Sequence, residues 1–212
     1  MKPLHLLLVM ISLFLAVIPG GLTVQAENSK GAAQVQLKPA YTSADDDVER
    51  KAGHEVAYFA GGCFWGTEYE FKNIAGVIST AVGYTGGKTQ KPTYHDVCGH
   101  GTGHAEAVRV VYDPKKLSFT KLCEEFFAIH DPTTMNRQGP DIGDQYRSAI
   151  FFENDEQKKL AEKAIADEQK TQPPNKKVVT TLEKFGTFWT AEDYHQDYFA
   201  KTGRGVCHVR RK

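Results

Sequence analysis

No sign of charge dominates this chain: 26 basic side chains stand against 26 acidic ones in 212 residues, a formal net charge of zero. A nucleic-acid surface needs a clustered positive excess to displace counterions from phosphates, so there is no electrostatic case for one. Cysteine is scarce, with only Cys63, Cys98, Cys123 and Cys207. In an exported chain an even count suggests two structural disulfides, with three connectivities open. Disulfide-dependent scaffolds, however, are small and core-poor, whereas this composition, 41% hydrophobic and 25% charged, suffices for one sizeable core. Internal repeats are absent. So is an apolar run long enough to span a bilayer: the one candidate, Leu6 to Ile18, is too short. It follows a lysine and precedes a Pro-Gly-Gly break and Val24-Gln25-Ala26, the pattern of a secretory signal cut after Ala26. An uncleaved anchor is the weaker alternative.

Three segments follow from this reading: a signal over 1–26, a polar and flexible lead-in over 27–52 containing "TSADDDVER", and a folded domain over 53–212. Within the domain, "EVAYFAG", "GVISTAVGYTGG", "AEAVRVVYDP", "QYRSAIFF" and "KKVVTTLE" read as strands. "CFWGTEYEFKNI", "SFTKLCEEFFAIH", "NDEQKKLAEKAIADEQK" and "TAEDYHQDYFAKT" read as helices, with Ser118 and Asn154 as N-caps. Hairpin-length links among the strands favour a two-layer α+β sandwich over a doubly wound parallel sheet. The Gly/His-rich connection from Lys88 to Gly103 and the loop "DPTTMNRQGPDIGD" are long for a compact domain, which marks them as functional.

The stretch "AGGCFWGTEYEF" sets Cys63 between Gly61-Gly62 and Phe64-Trp65 at a helix start. Unpaired N–H groups there favour a thiolate, the glycines allow close approach of a ligand, and the aromatics offer an apolar wall. Farther on, Glu106 alternates with Val108, Val110 and Tyr112, which places a carboxyl on an apolar face. Desolvation would raise its pKa and leave it a proton to donate; an edge-strand glutamate reaching water is the plainer alternative. His95, Cys98, His100 and His104 raise a zinc hypothesis, weakened by the lack of a second ligand pair farther on. Asp141 and Tyr146 flank the Gly143 turn and offer a carboxylate and a phenol to a small polar group. Cys123 lies among helix aromatics as an inert thiol, Cys98 is open to either reading, and Cys207 rides a C-terminal tail suited to reach a distant sulfur.

Taken together, "GGCFWGTEYEF", "GYTGG", "PTYHDVCGHGTGHAEAVRVVYDP", "HDPTTMNRQGPDIGDQYRSAI" and "FWTAEDYHQDYF" resemble the peptide-methionine sulfoxide reductases of the A type, from His54 to Cys207. The resemblance implies an α+β two-layer sandwich with a ferredoxin-like core, a mixed sheet covered by helices and a flexible C-terminal tail. It implies reduction of the S epimer of methionine sulfoxide, protein-bound or free. In that reading Cys63 is the nucleophile and Phe64 and Trp65 receive the terminal methyl group. Glu106 protonates the sulfoxide oxygen, Tyr94 and Tyr146 bind it, and Asp141 is a polar substrate contact. Cys207 resolves the Cys63 sulfenic acid as a disulfide, which an external thioredoxin-like reductant recycles; no metal and no cofactor are implied. The chain is expected to be a monomer, periplasmic or extracellular, in protein repair. It departs from the family pattern at Asp144, where threonine is common, at Lys91, where asparagine often stands, and in a tail that ends five residues after Cys207. A disulfide-stabilised secreted binding protein and a metal-dependent hydrolase are the competing classes.

Overall fold

The computed structural model describes residues 39–204 and Arg211; the proposed signal, residues 27–38 of the lead-in, and Cys207 lie outside the described residues. The chain begins with β1 (Ala40–Tyr41), α1 (Ser43–Lys51), β2 (Glu55–Gly61), α2 (Phe64–Lys72) and β3 (Val77–Thr85). It continues through α3 (Tyr94–Cys98), β4 (Ala105–Tyr112), α4 (Phe119–Ala128), the short strands β5 (Arg137–Gln138) and β6 (Asp141–Ile142), and a 3-10 turn at Asp144–Tyr146. β7 (Ser148–Phe152), α5 (Asp155–Thr171), β8 (Thr181–Lys184), β9 (Phe188–Thr190) and α6 (Tyr198–Thr202) complete it.

Among the described residues seven strands form one mixed sheet in the order β1-β9-β3-β4-β2-β7-β8. Every pairing is antiparallel except β7 with β8. The central strands are apolar on both faces because both faces are covered. Ala57, Phe59, Val108 and Val110 point into a core shared with Phe71 of α2, Leu122 and Phe126 of α4, and Ala161 of α5. Val56, Tyr58, Ala107 and Val111, alternating with them, join a second core with Phe185 and Phe188. The mixed sheet with its covering helices is the expected α+β sandwich.

Three segments differ from the sequence reading. Residues 40–51 were expected in a flexible lead-in, yet β1 pairs with β9 and α1 packs on the sheet. Asp46 of α1 is fully buried and accepts hydrogen bonds from Arg109 Nε and Nη2, at 3.1 and 2.6 Å, and from Tyr58 Oη at 2.5 Å. A run of three aspartates looks solvated until its partner, 63 residues away, is known. Next, "TAEDYHQDYFAKT" is helical only from Tyr198, because Phe188–Thr190 pairs with β3 and β1, and Asp197, with φ +54°, breaks any continuous helix. Lastly, the Lys88–Gly103 connection contains α3, started by a capping box of Thr93 and Asp96. Just ahead of it Lys91 holds φ +49°, a left-handed backbone that asparagine tolerates better than lysine. That is the physical content of this departure from the family pattern.

Candidate active site

Cys63 sits where β2 ends and α2 begins, as the N-cap residue of α2. Gly62 before it has φ +93°, so only a residue without Cβ strain takes the strand into the helix at this point. The first N–H of the helix is not left for the thiol: Phe64 N–H donates to Glu106 Oε2 at 3.0 Å. The nucleophile candidate and the acid candidate are therefore tied together through one backbone amide.

Glu106 lies in β4 directly opposite Tyr84 of β3 and is 2% exposed. Burial pushes its carboxyl up to about 8, with the charge of Asp141 adding to the rise and the Phe64 N–H opposing it. At neutral pH it is a protonated donor. Two residues earlier, His104 takes Gly87 N–H on Nδ1 at 3.1 Å and donates from Nε2 to the Thr89 carbonyl at 2.8 Å. A Cβ on Gly87 would meet the His104 ring at 2.4 Å, so this contact requires glycine. His100 pairs instead with Asp144, at 3.3 Å. Among the described residues no group of three or more His, Cys, Asp or Glu side chains converges as a metal site would require, so the zinc hypothesis finds no assembled ligand set there.

Tyr94, at the start of α3, and Tyr146, in the 3-10 turn, both reach the field of Glu106. Burial holds each phenol protonated well above its ordinary range; for Tyr94 a hydrogen bond with the Cys98 side chain adds to this, and for Tyr146 the Glu106 charge does. Asp141, half-buried in β6, is likewise raised by burial. Cys98 is half-buried and its thiol is pushed up by burial, against the Tyr94 hydrogen bond. Cys123 is fully buried in α4, where burial drives its thiol up to about 12 and leaves it inert.

Phe64 is 1% exposed, wedged between Tyr84 and His195 at ring separations of 5.8 and 5.0 Å, while Trp65 is only partly buried. Trp65 is held from two sides: its indole N–H donates to His195 Nδ1 at 3.0 Å, and Tyr198 stacks on it at 3.7 Å with an interplanar angle of 6°. Tyr94 also packs on His195, at 4.6 Å. Glu192 accepts from the Tyr94 N–H at 2.9 Å and from Tyr84 Oη at 3.0 Å, which fixes α3 over the sheet. Gln196 binds the Val82 backbone with both its amide oxygen and its amide nitrogen, locking the irregular segment 191–197 in place. Sequence reasoning assigned no role to Glu192, His195, Gln196 or Tyr198. The one signal available was their density in "FWTAEDYHQDYF", since a surface helix has no need of so many aromatic and polar groups on all sides.

The structure thus brings Cys63, Phe64, Trp65, Tyr94, Glu106, Asp141 and Tyr146 to one end of β2 and β4, with a buried carboxyl bonded to the amide that follows the thiol residue. The family model described as peptide methionine sulfoxide reductase matches residues 55–212. The chain is 48% identical over 176 residues to the peptide methionine sulfoxide reductase MsrA of Methanosarcina acetivorans, covering 82% of this chain and 94% of that protein. It is 56% identical over 151 residues to the MsrA of Erwinia tasmaniensis, covering 71% and 84%. Its fold matches the crystal structure of reduced Mxr1 from Saccharomyces cerevisiae with a TM-score of 0.71 at 36% identity, covering 76% of this chain and 94% of that one. With sequence and architecture in agreement over this span, the chain belongs to the peptide methionine sulfoxide reductase family of enzymes.

Proposed function

We propose that the chain reduces the S epimer of methionine sulfoxide, protein-bound or free, by thiolate attack of Cys63 on the sulfoxide sulfur. The observation that carries the reading is the neutral, buried Glu106 hydrogen-bonded to the amide that follows Cys63. A sulfoxide oxygen leaves sulfur only when protonated, and Glu106 holds the proton at neutral pH. Phenols kept protonated at Tyr94 and Tyr146 donate to the same oxygen, with Asp141 on the polar side. Phe64 and Trp65 take the terminal methyl group, with Trp65 oriented by His195 and Tyr198. The sulfoxide oxygen passes to Cys63, so methionine leaves and a Cys63 sulfenic acid remains. Cys207 then condenses with it, expelling water, and a thioredoxin-like dithiol reduces the Cys63–Cys207 disulfide by exchange. No metal or prosthetic group enters any step. The choice of epimer rests on the resemblance to the A type.

We also place the mature chain outside the cytoplasm, on the strength of the leader pattern ending at Ala26. Two measurements test these readings. Given separate epimers of a blocked methionine sulfoxide and dithiothreitol, the enzyme is expected to release blocked methionine from the S form alone; turnover of the R form, or of neither, refutes the assignment. Protein recovered from its native cells is expected to begin at Glu27, and an N-terminus still at Met1 refutes export by cleavage.

A further inference from the structure

Glu68 lies inside α2, three residues past Trp65, and is 2% exposed. Its two oxygens serve other elements. Oε2 accepts the Asp197 N–H at 2.8 Å, and Oε1 accepts the Thr80 hydroxyl of β3 at 3.2 Å. Burial lifts the carboxyl to about 7; the Asp197 charge adds to the rise, while the Asp197 N–H, the Thr80 hydroxyl and Lys72 oppose it. A buried carboxyl is unfavourable in a helix interior unless its hydrogen-bonding capacity is used, and here both oxygens are engaged.

Asp197 is where the chain turns. Its φ of +54° is a left-handed backbone that residues with a side chain avoid, and its carboxylate pairs with Lys72 of α2. On either side of that peptide stand the two partners of Trp65. His195, two residues before, accepts the indole N–H, and Tyr198, the next residue, stacks on the indole. α6, which begins at Tyr198, has five residues and is too short to hold a position by itself. Trp65 and Glu68, one turn apart on α2, therefore grip the same segment.

We propose that Glu68 is a positioning residue for the pocket that receives the substrate's terminal methyl group, holding the Asp197 peptide so that His195 and Tyr198 stay seated against Trp65. The inference rests on the reading of Phe64 and Trp65 as that pocket. Without the acceptor, the Asp197 N–H is left unpaired in a part-buried turn and the left-handed residue loses a bond that holds it. The segment then shifts off Trp65. An indole free to tilt widens the pocket, and a wider pocket tells a methyl from an ethyl group less well. One methylene is worth about 10- to 200-fold in a fitted apolar pocket, so the loss is readable.

The test compares kcat/KM for the S epimers of blocked methionine sulfoxide and blocked ethionine sulfoxide, with the full chain and dithiothreitol. In Glu68→Ala the methyl-over-ethyl ratio is expected to fall about three- to tenfold. Acrylamide is expected to quench Trp65 more readily, read in a Trp189→Phe background where Trp65 is the one indole. Glu68→Gln keeps an oxygen for the Asp197 N–H and is expected to hold both readouts near wild type. Thr80→Val, which removes one bond to Glu68 and leaves that residue in place, is expected to lower the ratio by a smaller factor. An unchanged ratio in Glu68→Ala, where Trp65→Ala lowers it, overturns the inference. So does an equal loss on both sulfoxides, which marks general disturbance of the fold. If Glu68→Ala does not fold, an unchanged ratio in Thr80→Val overturns the inference instead. A ratio left unchanged by Trp65→Ala refutes the methyl-pocket reading itself, a separate failure.

Discussion

Replacing Cys63 with serine is expected to end turnover, lowering kcat/KM by about 10⁴-fold or more, the scale on which deletion of an enzyme nucleophile acts. The change is nearly isosteric at a half-buried N-cap position, and serine is itself a favoured capping residue, so the fold should survive it. An alcohol at that position is far less nucleophilic than a thiolate toward sulfur, and it cannot form the sulfenic acid on which the second half-reaction depends. Circular dichroism and thermal unfolding close to wild type, with no methionine released from the S sulfoxide under excess dithiothreitol, is the expected pair of results. Turnover retained above about a tenth of wild type would move the attack to another thiol, with Cys98 the first to examine because it bonds Tyr94 inside the site.

Glu106→Gln is expected to cost about 10²- to 10⁴-fold in kcat/KM, the range that a positioned proton donor contributes. Glutamine keeps an oxygen to accept the Phe64 N–H, so the tie to α2 can persist while the transferable proton is lost. The pH profile makes the test sharper. Because burial lifts the carboxyl to about 8, the acid form is present below that pH and is lost as pH rises through it, so wild-type activity should fall on the alkaline side. In Glu106→Gln that alkaline fall should be absent. A wild-type rate that climbs through pH 8 would assign Glu106 the opposite role, as a base. Stability carries the same sign: a folded value above the unfolded one favours the protonated native state. The stabilising contribution is therefore complete below about 4.5 and lost between there and about 8. Over that window the wild type should lose stability with rising pH relative to Glu106→Gln.

Much of the site was legible before the structure because its signals are local. Glu106 betrays itself by period-two alternation with Val108 and Val110, and Cys63 by the glycines and aromatics beside it, all within a few residues. "EVAYFAG" is the strand Glu55–Gly61 to the residue, since a short apolar run bounded by glycine has few other uses. What could not be read depends on partners far along the chain. His195 looks like one residue of an amphipathic helix until Trp65, 130 positions earlier, donates to it. Thr190, the last residue of β9, looks like a helix start until β3 offers it an edge, and sheet pairing then overrides local preference. α3 had a local sign, the Thr93–Asp96 capping box, hidden among glycines and histidines.

The buried pair of Asp46 and Arg109 bears on where this protein can be cut. A boundary drawn from motif density would fall near Gly53, since the matched family span begins at residue 55. A chain shortened to that point would lose Asp46 while keeping Arg109, 4% exposed in the middle strand of the sheet, with the carboxylate that neutralises it gone. A lone charge in that setting is strongly unfavourable. It would also bare the outer edge of β9, now covered by Ala40 and Tyr41, and an uncovered strand edge invites pairing with other chains. The autonomous unit for expression or crystallisation therefore starts ahead of Ala40, in a stretch whose composition advertises nothing but solubility.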